Sequence, residues 1–309
     1  LYCENRHTSG LAATNTVFSV LLSLMDATGF PCTGSDTGIG KATALELAKR
    51  GARVILACSN KDKAESAAFD IRTSGNNQVV FMQLDLASLK SVRCFAETFL
   101  KTEPRLDILI NNAGLSQLPT DGFGMALGVN HLGHFLLTNL LLEKLQQCGP
   151  SRVVTVAALL HCFGTANFPL LASKKDSVSG QSTWNNFRAY CNSKLFNVLF
   201  TRELANRLEG TSVTCYSLHP GKCPVVGALK QTERQKIPLA TPCDPLLISK
   251  NSSPHLLPTI VYCALQEGLE SLSGRYFSRC ALQQVGAMGR DDALARKLWE
   301  LSERFTGLS

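Results

Sequence analysis

The feature that most constrains this chain is Thr33-Gly34-Ser35-Asp36-Thr37-Gly38-Ile39-Gly40-Lys41, a glycine-rich turn that runs straight into the helical pattern Ala42 to Lys49. Glycines at 34, 38 and 40 let the backbone turn sharply, bring bare N–H groups toward a ligand and pack a helix closely on its sheet. A helix N-terminus placed there faces negative charge, so the turn reads as a pyrophosphate cradle. A loop closing on an ordinary helix is the plainer alternative, because glycine spacing alone is a weak signal. The segments downstream favour the cradle.

From Gly40 onward, short apolar runs alternate with helical patterns. The runs are Arg53 to Cys58, Gln78 to Met82, Leu106 to Ile110 and Arg152 to Val156, and the helical patterns cover Lys61 to Arg72, Ser88 to Leu100 and Phe123 to Gln147. A second half continues with a helix over Asn185 to Arg207, a strand over Val213 to Leu218, a helix over Ile260 to Glu267, a short strand over Arg275 to Phe277 and a closing helix over Asp291 to Phe305. Apolar strands separated by amphipathic helices mean a sheet covered on both faces. The expectation is an α/β fold with a doubly wound, mostly parallel Rossmann sheet, whose ligands sit at the carboxyl ends of the strands. One domain is expected over residues 28–309, with residues 1–27 an atypical amino-terminal segment that need not belong to it. Residues 222–258 carry six prolines, which disfavours a long helix and predicts a loop over the strand ends.

Composition excludes several classes. A chain of 309 residues with 45% hydrophobic and 18% charged residues can bury a full core and is neither disordered nor a solenoid. The net charge of +7 is scattered along the chain without a basic stripe, so no nucleic-acid partner is expected. The 12 cysteines contain no C-x-x-C pair, which points away from zinc and from a disulfide framework and toward a reducing compartment. Cys58, Cys215 and Cys263 lie in apolar runs and read as small buried hydrophobes. Val17 to Met25 falls well short of the roughly 20 residues a spanning helix needs. No membrane segment is expected within the given chain, and one ahead of Leu1 stays open.

The ordered set Thr33-Gly34-x-x-x-Gly38-x-Gly40, Asp85, Asn111-Asn112-Ala113-Gly114, Asn130, Tyr190-x-x-x-Lys194 and Pro220-Gly221 resembles the short-chain dehydrogenase/reductase family. Ala42 to Ala48, Gly51 to Cys58, Asn197 to Leu204 and Tyr262 to Gly268 resemble its retinol dehydrogenase group, and the likeness covers about residues 32–308. The resemblance implies hydride transfer between a nicotinamide cofactor and a small-molecule alcohol or carbonyl, with an apolar, retinoid-like or steroid-like substrate. It implies cofactor contacts at Gly34, Gly38, Ile39, Gly40, Lys41, Asp85, Asn111, Gly114, Tyr190, Lys194, Pro220 and Gly221, and a proton relay completed by Asn130 through water. The location it leaves open is the cytoplasm or the endoplasmic reticulum membrane, and the oligomeric state is not indicated.

The chemistry also follows from the residues. Tyr190 and Lys194 are four apart, hence one helical turn apart on one face, where an ammonium stabilises a phenolate. That draws a tyrosine from its reference pKa of about 10 toward working pH, as general acid–base chemistry needs. A surface tyrosine beside an unrelated lysine is the alternative, and for Asn130 it is a helix-surface amide. His131 and His134, three apart, suggest no third metal ligand, and they read as structural, as does His161-Cys162.

Three positions depart from the family pattern. Ala158, preceded by Ala157, stands where a serine hydroxyl would hold the reacting oxygen. Pro31 falls in the first strand, although proline is excluded from central strands. Val225 stands where a threonine would bond the nicotinamide amide. Cofactor choice follows from Cys58-Ser59-Asn60, which holds no acid to repel a 2′-phosphate, and from Lys41 and Lys61 nearby, so NADP(H) is favoured, with NAD the alternative. Two readings therefore stand. One is an NADP-dependent oxidoreductase; the other is a nucleotide-binding pseudoenzyme whose turnover is impaired or lost because Ala158 stands in place of the catalytic serine.

Overall fold

Strands β1 (Gly29–Thr33), β2 (Arg53–Cys58), β3 (Val79–Gln83), β4 (Ile108–Asn111), β5 (Ser151–Val156), β6 (Val213–His219), β7 (Tyr276–Ser278) and β8 (Ala281–Gln283) form one sheet in the order β3-β2-β1-β4-β5-β6-β7-β8. The computed structural model describes residues 29–74, 78–114, 126–166, 168, 183–221 and 258–309. Every pairing up to β7 is parallel, and only β8 runs antiparallel to its neighbour. The helices are α1 (Gly38–Lys49), α2 (Lys61–Arg72), α3 (Leu89–Thr102), α4 (Gly133–Cys148), α5 (Thr183–Arg207), α6 (Pro258–Leu265) and α7 (Asp292–Thr306).

Alternation along each strand sends side chains to two cores. Val54, Leu56 and Cys58 of β2 pack with Leu47 of α1, Ala64 and Ile71 of α2 and Ile260 of α6. Ile55 and Ala57, one residue out of phase, pack with Phe95 of α3, Leu141 of α4 and Leu204 of α5. A strand that feeds both cores must lie between two helix layers, which is the doubly wound arrangement expected from the sequence.

Strand order reverses between β1 and β4, and this switch point opens a crevice at the carboxyl ends of the strands. The glycine-rich turn leaves β1 on one side of it, and Asn111 to Gly114 leave β4 on the other.

Pro31 corrects the expectation that proline is kept out of a central strand: it lies inside β1, between β2 and β4. The Gly34 N–H bonds Ala57 O on β2, so strand alternation turns Cys32 and Phe30 to the same side and Pro31 toward β4. The missing N–H therefore subtracts from one ladder only. Pairing with β2 runs from Gly29 to Thr33, whereas pairing with β4 is confined to Cys32 and Ile110.

Element bounds otherwise follow the sequence to within a few residues. The long helix expected from Phe123 has its first residues outside those described, and it enters through a π turn at Gly128–Leu132 before α4. β8 was not expected; its three exposed residues carry no burial pattern to read. Pro258, expected to close the loop, opens α6, where a proline needs no N–H partner. The rest of that loop and residues 1–27 lie outside the described residues. Among the described residues, no helix is long and apolar enough to cross a membrane.

Candidate active site

The turn after β1 shows why its glycines are glycines. Gly34 and Gly38 have φ of +63° and +55°, a left-handed conformation that other residues adopt only at a cost. A Cβ on Gly40 would lie 2.2 Å from Gly34 O, so helix and turn touch through bare backbone. A Cβ on Gly38 would meet nothing within 4 Å. That open side lies at the start of α1, whose N-cap Thr37 makes no side-chain cap and whose first turn holds no acid. Uncapped N–H groups and the positive end of the helix dipole are left for an anion. Ile39 is half-buried and packs against the core.

At the ends of β2 and β3 the charges are arranged differently from the sequence expectation. Lys41 lies on Asp70 of α2, with 2.5 Å between Nζ and Oδ2. Asn60 caps α2 by accepting the Lys63 N–H. Ser35 Oγ lies 3.5 Å from Cys58 Sγ. Burial pushes the Cys58 thiol up, the Ser35 hydrogen bond draws it back, and the Asp36 carboxylate adds to the rise. Asp36 thus brings negative charge to the end of β2, where Cys58-Ser59-Asn60 held no acid in the sequence. Asp85, after β3, accepts the Ala87 N–H at 3.0 Å and shapes its own turn.

Across the switch point, Asn111 is buried and donates to Thr138 Oγ1 at 2.9 Å. Asn112 Nδ2 donates to Thr33 O at 2.8 Å, and the N–H groups of Asn112 and Ala113 both donate to Thr33 Oγ1. Gly114 then passes so close to the neighbouring helices that a Cβ there would lie 3.2 Å from Lys194 Nζ and 3.5 Å from Asn130 Oδ1.

Lys194 is 3% exposed, and its ammonium donates to Val156 O at 3.0 Å. Its Nζ stands 5.8 Å from the centroid of the Tyr190 ring, one turn earlier on α5. Asn130 is fully buried inside the π turn, not a surface amide, and its Nδ2 donates to Ser193 Oγ at 3.0 Å. Ser193 in turn donates to Tyr190 O. Tyr190, Lys194, Asn130 and Gly114 therefore converge at one place. Ser193 was missed by the sequence reading; its one signal was its position beside Lys194.

Ala158, just past β5, is 3% exposed and packs with Phe187 and Cys191, with Tyr190 against the same cluster. Thr155 offers no substitute hydroxyl. It is buried beside Asn111 and Ser217 within the sheet, without a hydrogen-bond partner among the described residues. His161 Nδ1 lies 2.8 Å from Ala158 O and holds that backbone in place. Pro220 and Gly221 follow β6, with Gly221 at φ +136°; Val225 lies outside the described residues. Among the described residues no three His, Cys, Asp or Glu gather as a metal site. His131 bonds Ser302 Oγ of α7 and His134 bonds Thr33 Oγ1.

A model of the short chain dehydrogenase family matches residues 31–176. The chain is 52% identical over 280 residues to human dehydrogenase/reductase SDR family member 13, a span that covers 89% of this chain and 72% of that protein. The chain belongs to the short-chain dehydrogenase/reductase family. Within that family it falls in the retinol dehydrogenase-like group, being 47% identical over 281 residues to mouse retinol dehydrogenase 11, across 89% of this chain and 85% of that one. Its fold is similar to a crystal structure of a protein from Mycobacterium paratuberculosis, with TM-score 0.66 and 33% identity over 92% of this chain and 94% of that one. A Shigella flexneri short chain dehydrogenase solved in complex with NADP shares the fold at TM-score 0.59 and 21% identity, over 84% of this chain and 99% of that one. The relatives carry names of dehydrogenases and reductases, and this short-chain dehydrogenase/reductase is an oxidoreductase of the same family.

Proposed function

We propose that the chain transfers hydride between NADP(H) and an apolar alcohol or its carbonyl, retinoid-like in size and polarity, at a rate held down by Ala158. The observation that carries this reading is the convergence of Lys194 Nζ, Asn130 Oδ1 and the Tyr190 ring beside the bare backbone of Gly114. The open N-terminus of α1 fits a pyrophosphate. The cofactor, when bound, supplies or accepts the hydride. Tyr190 moves the proton at the reacting oxygen, and the ammonium of Lys194 stabilises the phenolate that forms. Asn130 holds the water that returns the proton, and Ser193 orients the Asn130 amide.

The NADP(H) preference rests on Lys41 and Lys61 and on the absence of an acid at positions 58–60, and the Asp36 carboxylate near Cys58 acts against it. The Lys41–Asp70 pair is partly exposed, and such pairs contribute about 0–1 kcal/mol, so a 2′-phosphate can compete for the ammonium. Titrating NADPH and NADH in a thermal-shift assay tests this, because the form that binds more tightly raises Tm more at equal concentration. NADPH is expected to give the larger rise. Equal rises remove the preference, and no rise with either removes the phosphate site.

A second reading, a nucleotide-binding pseudoenzyme, is favoured by one observation: Ala158 presents an apolar face where the reacting oxygen needs a donor. The Ala158→Ser variant separates the two readings.

A further inference from the structure

We propose that His134 is a positioning residue that locks the cofactor turn to the backbone at Asn130, an inference that rests on reading the site as a dinucleotide cradle with a proton relay. Thr33 Oγ1 accepts the N–H of Asn112 at 2.9 Å and that of Ala113 at 2.8 Å. Two donors fill both lone pairs of a hydroxyl, so its own proton must be given away. Ile110 O lies at 3.5 Å, the outer limit, while His134 Nε2 lies at 2.9 Å. Nε2 is therefore an acceptor. A neutral imidazole with a bare Nε2 carries its proton on Nδ1, and Nδ1 lies 3.2 Å from Asn130 O, which can only accept.

Both ends of the ring thus demand the same neutral tautomer. Its surroundings keep it neutral: burial pushes the His134 pKa down, the Asn130 carbonyl bond draws it partly back, and the Lys194 charge lowers it again, to about 4. On one side the lock reaches a rigid piece, because Asn112 Nδ2 also holds Thr33 O and Gly34 O. On the other side it reaches the π turn, whose Asn130 side chain is tied to Ser193 on α5. A single ring with one allowed protonation pattern therefore couples the phosphate turn to the relay residue, across 101 positions of sequence.

Two measurements test this. In ¹⁵N NMR of the wild-type chain at neutral pH, the imidazole signals that vanish in His134→Gln should show protonated Nδ1 and unprotonated Nε2. In cofactor titrations, His134→Leu should weaken NADPH binding about tenfold, the effect of losing a buried hydrogen bond. His134→Gln, whose amide can accept at one end and donate at the other, should restore affinity to within about twofold of wild type. A protonated Nε2, an unchanged affinity in His134→Leu, or a glutamine variant that binds no better than the leucine one would each overturn the lock. Wild-type protein that binds neither NADPH nor NADH would overturn the cradle reading itself, a result distinct from a wild type that binds and a leucine variant that binds equally well.

Discussion

The methyl group of Ala158 packs among Phe187, Cys191 and Tyr190, and on the proposed reading a serine hydroxyl at that position would face the reacting oxygen. A serine there adds a donor of the kind that contributes about 10²- to 10³-fold in rate. Ala158→Ser should therefore raise NADPH-linked turnover of a panel of short aldehydes and retinal by that factor. It should lower stability by about 1–3 kcal/mol, since a buried hydroxyl lacks a partner until substrate arrives. Adding Tyr190→Phe should erase the gain. A serine variant that folds, binds NADPH and turns over nothing makes the pseudoenzyme reading the better one. Asp36 sets a second residue-scale expectation. Its carboxylate is close enough to raise the Cys58 thiol at the end of β2, so on the proposed reading it would repel a 2′-phosphate bound there. Asp36→Asn should tighten NADPH by roughly three- to tenfold, the size of one screened like-charge contact, and leave NADH nearly unchanged. Equal changes for both cofactors would place Asp36 away from the 2′ position.

Among the elements, α1 depends on its contact with the turn that precedes it. A Cβ at Gly40 would meet Gly34 O at 2.2 Å, and backbone cannot swing aside as a long side chain can. Gly40→Ala should cost about 1–3 kcal/mol by urea denaturation and abolish the cofactor-induced rise in Tm. Gly38→Ala meets no atom within 4 Å and carries only the left-handed strain, about 1–2 kcal/mol. A Gly40→Ala variant as stable as wild type would show that the close approach does not hold α1. β1 teaches the converse lesson. Pro31 looked incompatible with a central strand, yet its lost N–H faces β4 only, and the full ladder to β2 keeps the strand in place.

The whole molecule buries several histidines in neutral form. Burial lowers His131 to about 3, His134 to about 4 and His219 to about 4. In the unfolded chain each takes up a proton near pH 6.5, so between that pH and about 4 the unfolded state binds more protons than the folded one. Stability is therefore full above pH 6.5 and falls as pH drops toward 4, by up to about 1.4 kcal/mol per pH unit for each histidine. Urea midpoints at pH 7, 6 and 5 should decline in step, and His134→Gln should flatten the decline. A midpoint that stays level to pH 5 would mean that these rings are already charged in the fold.

The alternation of strand and helix and the doubly wound sheet were legible in the sequence, and the family resemblance named Gly114, Asn130, Tyr190 and Lys194, which the fold brings near one another. Burial imposes a period of two on strands and of 3.6 on helices, and that imprint is local. Once these elements wind in order, the ends of β1, β4 and β5 must meet. The Lys41–Asp70 pair, Asp36 beside Cys58, Ser193 under Asn130 and the single tautomer of His134 were not legible. They join residues on different elements, at distances set by how helices and strands pack and not by any repeating pattern along the chain. Tertiary structure alone decided them, because a side chain's partner, its burial and hence its charge state come into being only when the two elements touch.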